Sequence, residues 1–460
     1  MLPSDTSLSQ VYPQRFALLS YRLVGIFGFT CFLLTVAAII YFDDIQITDF
    51  TSQEVPTIYN MRIAGFKILD FISLSLFSIV ICAVVLKGTF EVNIFHRTFF
   101  ILLGIYCYAG FVGFIYSFIY QYDYVVWMRD FQQIIYYFGF FLITYIFLDS
   151  KRKWNVFVIS LVTFMALKNV FITYKTFMGE GKIFGDWAIR ASQNSEFAYF
   201  PMMFFSLFAL ILYRKNTALK IAVGLIVFLY LFNSLIGIYR TVWVILILGT
   251  MYFFTLLTPM VRRRTSVYMI VFISLALMII SAIFPRFLAL AWNYKFASIF
   301  EWKVEGDRSN ATRVIEIMNV FDYIFRHYSF LQGLGLGAFW DDAARRLLPD
   351  GGSGFMFKTR FYTTHMFMLT QFLKLGFVAT FIYWFSIGKL FLYILRRIKA
   401  IPWERWEKCI LIGMHVGFFC GYISNADFVR MFLLMGINLG LTARYFSLED
   451  EQFGTTTVPA

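Results

Sequence analysis

Four residues combine a reactive side chain with a setting in which it is costly to keep: Arg190, Arg240, Arg313 and His365. Arg190, Arg240 and His365 sit near the start of long apolar runs and Arg313 lies in the long loop between two of them; ionisable groups at or within membrane depth are functional candidates by default. Arg240 closes the connection Gly237-Ile-Tyr-Arg240, which is too short to carry it far from a bilayer. Its planar donors could fork onto phosphate oxygens there, although the same position also suits an arginine that snorkels to the interface. His365 is one of four histidines. A neutral imidazole accepts a proton near pH 7, as a general base acting on a hydroxyl must, while a histidine at a helix start also serves as an interfacial hydrogen-bonding group. His327, beside Arg326, reads as solvent-exposed. His96 and His415 have no candidate partner nearby in sequence.

The elements that must position these residues are apolar. The chain is 60% hydrophobic, 21% aromatic and 15% charged, against roughly 45–50% apolar and about 25% charged in soluble domains. Runs of about 20 apolar residues, enough to cross a hydrocarbon core, recur along most of its length. Helices are expected over 16–42, 64–86, 98–120, 125–148, 155–177, 196–213, 217–236, 241–257, 265–284, 365–395, 406–423 and 427–446. This describes an all-α polytopic membrane protein with about twelve transmembrane helices.

The net charge of +13 resides in short Lys/Arg clusters at helix ends, such as Lys151-Arg152-Lys153, Arg262-Arg263-Arg264 and Arg396-Arg397. These clusters fall at every second connection, which places those connections in the cytoplasm by the positive-inside rule. Both termini are then cytoplasmic. No cluster is interleaved with the stacking aromatics that bind single strands, so no nucleic-acid partner is expected. All five cysteines fall in apolar runs, which gives no disulfide framework and no zinc site. The first run lacks a cleavage site and reads as an uncleaved helix.

Three regions follow: residues 1–284 with helices one to nine, a periplasmic loop at 285–364, and residues 365–460 with helices ten to twelve and a cytoplasmic tail. Within the loop, Val314, Ile317, Met318, Phe321, Ile324 and Phe325 recur at helical spacing, predicting an amphipathic helix at the membrane surface. Gly333-Leu-Gly-Leu-Gly337 lacks the flanking strand and helix of a dinucleotide site and reads as a flexible turn. Asp341-Asp342 lacks a third ligand for a metal. Arg129-Asp130 reads as a structural ion pair or a boundary marker. Lys168 and Lys374 are the clearest basic residues within spans.

The order of these features resembles the bacterial O-antigen ligase and O-antigen polymerase superfamily of integral membrane glycosyltransferases. The resemblance rests on Arg190-Ala-Ser-Gln-Asn194, Arg240-Thr-Val-Trp243, Arg313, Gly333-Leu-Gly-Leu-Gly337, Thr364-His365 and Lys374-Leu-Gly376-Phe377, taken in sequence. It implies transfer of a glycan from undecaprenyl pyrophosphate to a sugar hydroxyl at the outer face of a bacterial inner membrane. It further implies an inverting reaction with no metal or cofactor. Arg190, Arg240 and Arg313 would hold the donor pyrophosphate, and His365 would orient or deprotonate the acceptor. The acceptor would be a lipid A core in a ligase, or a second lipid-linked glycan in a polymerase. Met366 stands where the family commonly has Asn, and the usual proline before the glycine run is absent.

Two other readings stay open on the residues alone. Asp43-Asp44 in the first outer connection could supply an acidic base. A flippase or transporter with about twelve helices would show charged groups along a central path and helices broken at mid-depth.

Overall fold

Inside hydrocarbon every backbone amide must find its partner within the protein, so long apolar runs fold as helices. The computed structural model describes residues 8–41, 62–63, 66–87, 92–178, 182–184, 187–190, 196–236, 240–283, 309–341, 360–362, 367–423 and 429–453. Helices occupy α1 (Leu8–Tyr41), α2 (Ile68–Lys87), α3 (Ile94–Tyr120), α4 (Tyr124–Phe147), α5 (Lys151–Phe177), α6 (Glu196–Tyr213) and α7 (Thr217–Ile236). They continue with α8 (Arg240–Leu256), α9 (Pro259–Ile283), α10 (Ser309–Arg326), α11 (Phe367–Ala400), α12 (Trp406–Ile423) and α13 (Val429–Phe453). A helix lies at each of the twelve apolar runs, and α10 covers the stretch with amphipathic spacing.

Seven of these helices, α1, α2, α3, α5, α7, α9 and α11, are long and apolar enough to cross a membrane. The chain is therefore an all-α, multi-pass membrane protein. The sequence reading missed two short antiparallel hairpins, β1 (Arg62–Ile63) with β2 (Phe66–Lys67), and β3 (Lys182–Phe184) with β4 (Trp187–Arg190).

The chain forms two compact units, each discontinuous in sequence. One comprises Met1–Arg97, Tyr136–Lys168 and Leu433–Ala460; the other comprises Thr98–Ile135 and Asn169–Phe432. In the first, α13 lies along the second half of α4. Gly436 and Gly440, four residues apart, allow its backbone to approach that of Tyr137 and Phe141, the small-residue packing typical of helices in lipid. Arg444 then closes the C-terminal end of α4: Nε donates to Leu148 O at 3.2 Å and Nη2 to Asp149 O at 2.8 Å. Those carbonyls have no intrahelical donor, and a cation there also complements the helix dipole. Trp154 Nε1 donates to Leu441 O at 3.0 Å, and Lys151 pairs with Glu449 at 3.0 Å.

In the second unit, α10 packs through part of its predicted stripe together with the residues beside it. Glu316, Asn319, Val320, Tyr323 and Ile324 are buried, whereas Met318 and Phe325 are exposed. Ile317 and Phe321 of the predicted stripe pack against the same side as Ile324, while Met318 and Phe325 at its edge face outward. The buried side joins a core of Tyr122, Leu334, Phe339, Trp340, Leu369 and Leu373.

Candidate functional site

Several polar and charged residues of the second unit gather near a break in α11. Gly376 has φ 75° and ψ 179°, so the helix cannot continue through it. In an unbroken helix the amides of Phe377 and Val378 would donate to the carbonyls of Leu373 and Lys374. Here they donate instead to Phe330 O at 2.8 Å and Leu331 O at 3.4 Å. The two carbonyls left over accept from Leu334 N and Gly335 N, both at 2.9 Å. Residues 329–340, called the strap below, are thereby inserted into the hydrogen-bond ladder of α11. These two amides and two carbonyls thereby acquire partners, as irregular backbone away from water requires.

The glycine run therefore does not form a flexible turn, as its composition predicts. Gly333, Gly335 and Gly337 all hold left-handed backbone, with φ between 75° and 81°, a region that a side chain disfavours. A Cβ on Gly335 would overlap the backbone of Gly113 in α3, and one on Gly333 would overlap that of Gly376. Leu336 N donates to Ala109 O at 2.9 Å, and Leu334 O accepts from the Tyr122 hydroxyl at 3.1 Å. Burial raises the Tyr122 phenol well above its usual range and keeps it a donor.

Beneath the strap lies an ion pair. Lys374 Nζ stands 2.8 Å from Asp130 Oδ1, and Gly337 N donates to Asp130 Oδ2 at 2.8 Å. Both side chains are buried. Asp130 was expected to pair locally or mark a boundary, and Lys374 had no acidic neighbour in sequence; they meet across 244 positions. With both oxygens occupied, this carboxylate anchors the strap to α4 and α11. Gln133, Thr370 and Gln371 join the pair around a narrow cavity that Tyr106, Leu336, Phe367 and Leu375 also line. The Gln371 amide is 3% exposed and makes no hydrogen bond among the described residues. The arrangement can hold a charge pair away from water and receive a group about the size of one hydroxyl or water.

The residues singled out from sequence are distributed differently. Arg190 closes β4, Arg240 is the first residue of α8, and Arg313 lies in the first half of α10. Near Arg240 in sequence, α7 is bonded to α8 and to α5. Trp243 Nε1 donates to Ser234 O at 3.1 Å, and Asn233 Nδ2 reaches Asn169 Oδ1 at 2.6 Å and Thr173 Oγ1 at 3.0 Å. His365 lies outside the described residues, two positions before α11; Asp43, Asp44 and Asp342 also lie outside them. The side chains of Arg190, Arg240 and Arg313 likewise lie outside the described residues.

His327 is not simply solvent-exposed. Its Nδ1 is 3.2 Å from the Tyr120 hydroxyl, and its ring centroid is 4.4 Å from that of Tyr323. Burial first, and Arg326 second, lower its pKa. Tyr323 is pushed up to about 12, chiefly by burial. Asp341 pairs with Arg326 at 2.6 Å. His96 is buried edge-on to Tyr145, with Nδ1 2.7 Å from Asn93 Oδ1, and His415 stacks on Phe391.

Sequence reasoning missed the strap's insertion and the Asp130–Lys374 pair. The available signal was Lys374-Leu-Gly376 inside an apolar run, a charge two residues before a helix breaker. No family model and no curated protein matches the sequence.

Proposed function

We propose that the protein is a membrane glycosyltransferase that moves a glycan from undecaprenyl pyrophosphate to a sugar hydroxyl in surface-polysaccharide assembly, in the manner of an O-antigen ligase. The observation that carries the reading is the ordered set Arg190, Arg240, Arg313, the glycine run and His365. The core of Val320, Ile324, Leu334, Leu369 and Leu373 supports it, because it ties the helix bearing Arg313 to the first turns after His365. In this reading the three arginines hold and neutralise the leaving pyrophosphate, and His365 orients or deprotonates the acceptor hydroxyl as it attacks the anomeric carbon. About twelve spans cross a bacterial inner membrane, with both termini cytoplasmic and the 285–364 region periplasmic, as the basic clusters require.

Purified protein given a radiolabelled undecaprenyl-pyrophosphate glycan and an acceptor tests this. Arg313→Ala and His365→Ala should each abolish transfer in protein that still inserts; full activity in both would discard the assignment. Loss of Asp43→Asn, Asp44→Asn protein alone would move the base to the first connection. Product length separates the two acceptors: cells lacking a polymerase keep single repeats on the core, and cells lacking a ligase accumulate unattached chains.

One observation favours a second reading. A broken helix beside a buried Asp130–Lys374 pair is what a lipid-linked sugar flippase or another transporter would carry. Movement of a lipid-linked glycan across proteoliposomes, with no glycan transferred, would select it.

A further inference from the structure

At the end of the second unit formed by the α8–α9 and α11–α12 connections, a cavity of about 150 Å³ opens between helices. Its floor is apolar, made by Leu256, Leu257, Ile398 and Ile412, and its rim carries Thr258, Lys399, Trp403 and Lys408. Lys408 Nζ is fixed by donating to the carbonyls of Lys399 and Ile401, and it lies 4.1 Å from the centre of the Trp403 ring. The Trp403 ring also stacks on Tyr213, at 3.9 Å and 12°. An indole so held cannot swing to fill the space beside it.

The surroundings are strongly basic. Arg262, Arg263 and Arg264 lie in the first turns of α9, just after Thr258, and Arg396, Arg397 and Lys399 lie at the end of α11. The nearby acids are Glu404, which is exposed, and Glu407, whose carboxylate stands 4.0 Å from Arg405. Arg262 is partly engaged, its Nε donating to Phe254 O at 3.0 Å; Arg263 and Arg264 are exposed.

We infer that this cavity is a binding site for the headgroup of an anionic phospholipid. A free phosphate would be served by the rim alone, whereas the apolar floor fits an occupant that is anionic at one end and hydrocarbon below it. Basic pockets between helices on the positively charged side of a membrane protein have this character, and tryptophan is the residue that favours the junction of headgroup and chain. The site is independent of glycan transfer: it lies among connections that contain none of Arg190, Arg240, Arg313 or His365.

Fluorescence quenching tests it. The full-length protein is placed in nanodiscs containing brominated phosphatidylglycerol or, in parallel, brominated phosphatidylcholine at the same mole fraction. The quenched component of emission that disappears in Trp403→Phe should be several-fold larger with the anionic lipid. Lys399→Gln, a change at an exposed side chain, should reduce that preference without altering the elution of the protein. Equal quenching by both lipids would overturn the proposal by showing an unselective crevice. Loss of the signal on adding inorganic phosphate would also overturn it, by showing a site for a free anion. Native mass spectrometry of the unaltered protein supplies a readout that needs no variant: retention of phosphatidylglycerol over phosphatidylethanolamine is the supporting result, and equal retention is the contrary one.

Discussion

Two close backbone approaches, one in each unit, both depend on glycine but for different reasons. Along the seam between α13 and α4, Gly436 and Gly440 keep ordinary helical backbone and only clear space for the neighbouring helix. In the strap, Gly333, Gly335 and Gly337 must clear space and also hold left-handed backbone. The polar groups differ in the same sense. Arg444 caps carbonyls at the end of a helix, where the Glu451 partner is half exposed. Asp130 and Lys374 form an ion pair with almost no exposure, in the middle of a break. The seam is a packing solution that tolerates adjustment, and the strap is one in which backbone conformation, hydrogen bonds and charge must all be met together.

The largest effect expected from this contrast is at Gly335. Replacement by alanine combines left-handed strain of about 1–3 kcal/mol with an overlap against the Gly113 backbone that no side-chain rotation relieves. Gly335→Ala should yield no monodisperse protein in detergent, as read by fluorescence-detected size exclusion. A normal elution profile would show that the strap can leave α11 without loss of the fold.

Next comes the ion pair. Removing one partner leaves the other buried and uncompensated, at a cost of about 3–5 kcal/mol. Lys374→Met and Asp130→Asn should each lower the melting temperature sharply, and the double variant should recover a large part of the loss. Additive losses would mean that the two groups do not act as a pair.

Gly440→Ala is milder. An added Cβ would lie 2.7 Å from both Phe141 O and Thr144 Cβ, and helices can separate slightly, so about 1–3 kcal/mol of overpacking is expected. A loss as severe as that of Gly335→Ala would erase the distinction between seam and strap.

The smallest effect is a pH dependence at the entry to the strap. The His327 imidazole titrates below its usual value because of burial and Arg326. The neutral form is therefore favoured by folding. Its contribution is complete above the unfolded value of about 6.5 and is lost as pH falls through the lower folded value. Thermal melting of the native protein should weaken between about pH 7 and pH 5 more than that of His327→Gln. An identical slope in both would remove His327 from the account.

Much of the helical framework was legible. Each apolar run yields a helix because length and composition alone require it, and α10 appears where the spacing of apolar residues places it. The full inward face of α10 was not legible: Val320 and Tyr323 join Ile324 of the predicted stripe because the strap supplies Leu334, Phe339 and Trp340 to cover them, and that distant partner is not encoded in the local period. Of the candidate site, the arginines and His365 were recognisable by residue type and order, which says nothing about their mutual distance.

By itself, then, the sequence determined that this chain is built from apolar helices, that their basic ends alternate, and that a charge sits two residues before a glycine in α11. Only the tertiary structure decided what that glycine is for. The amides that replace the broken bonds of α11 come from the strap some forty residues upstream, and the carboxylate that neutralises Lys374 comes from α4, 244 positions away. Burial of unmatched polar groups is too costly to persist, so the glycine run, the helix break and the ion pair are stable only together. That mutual requirement is a property of their meeting in space, which composition and spacing along one chain do not contain.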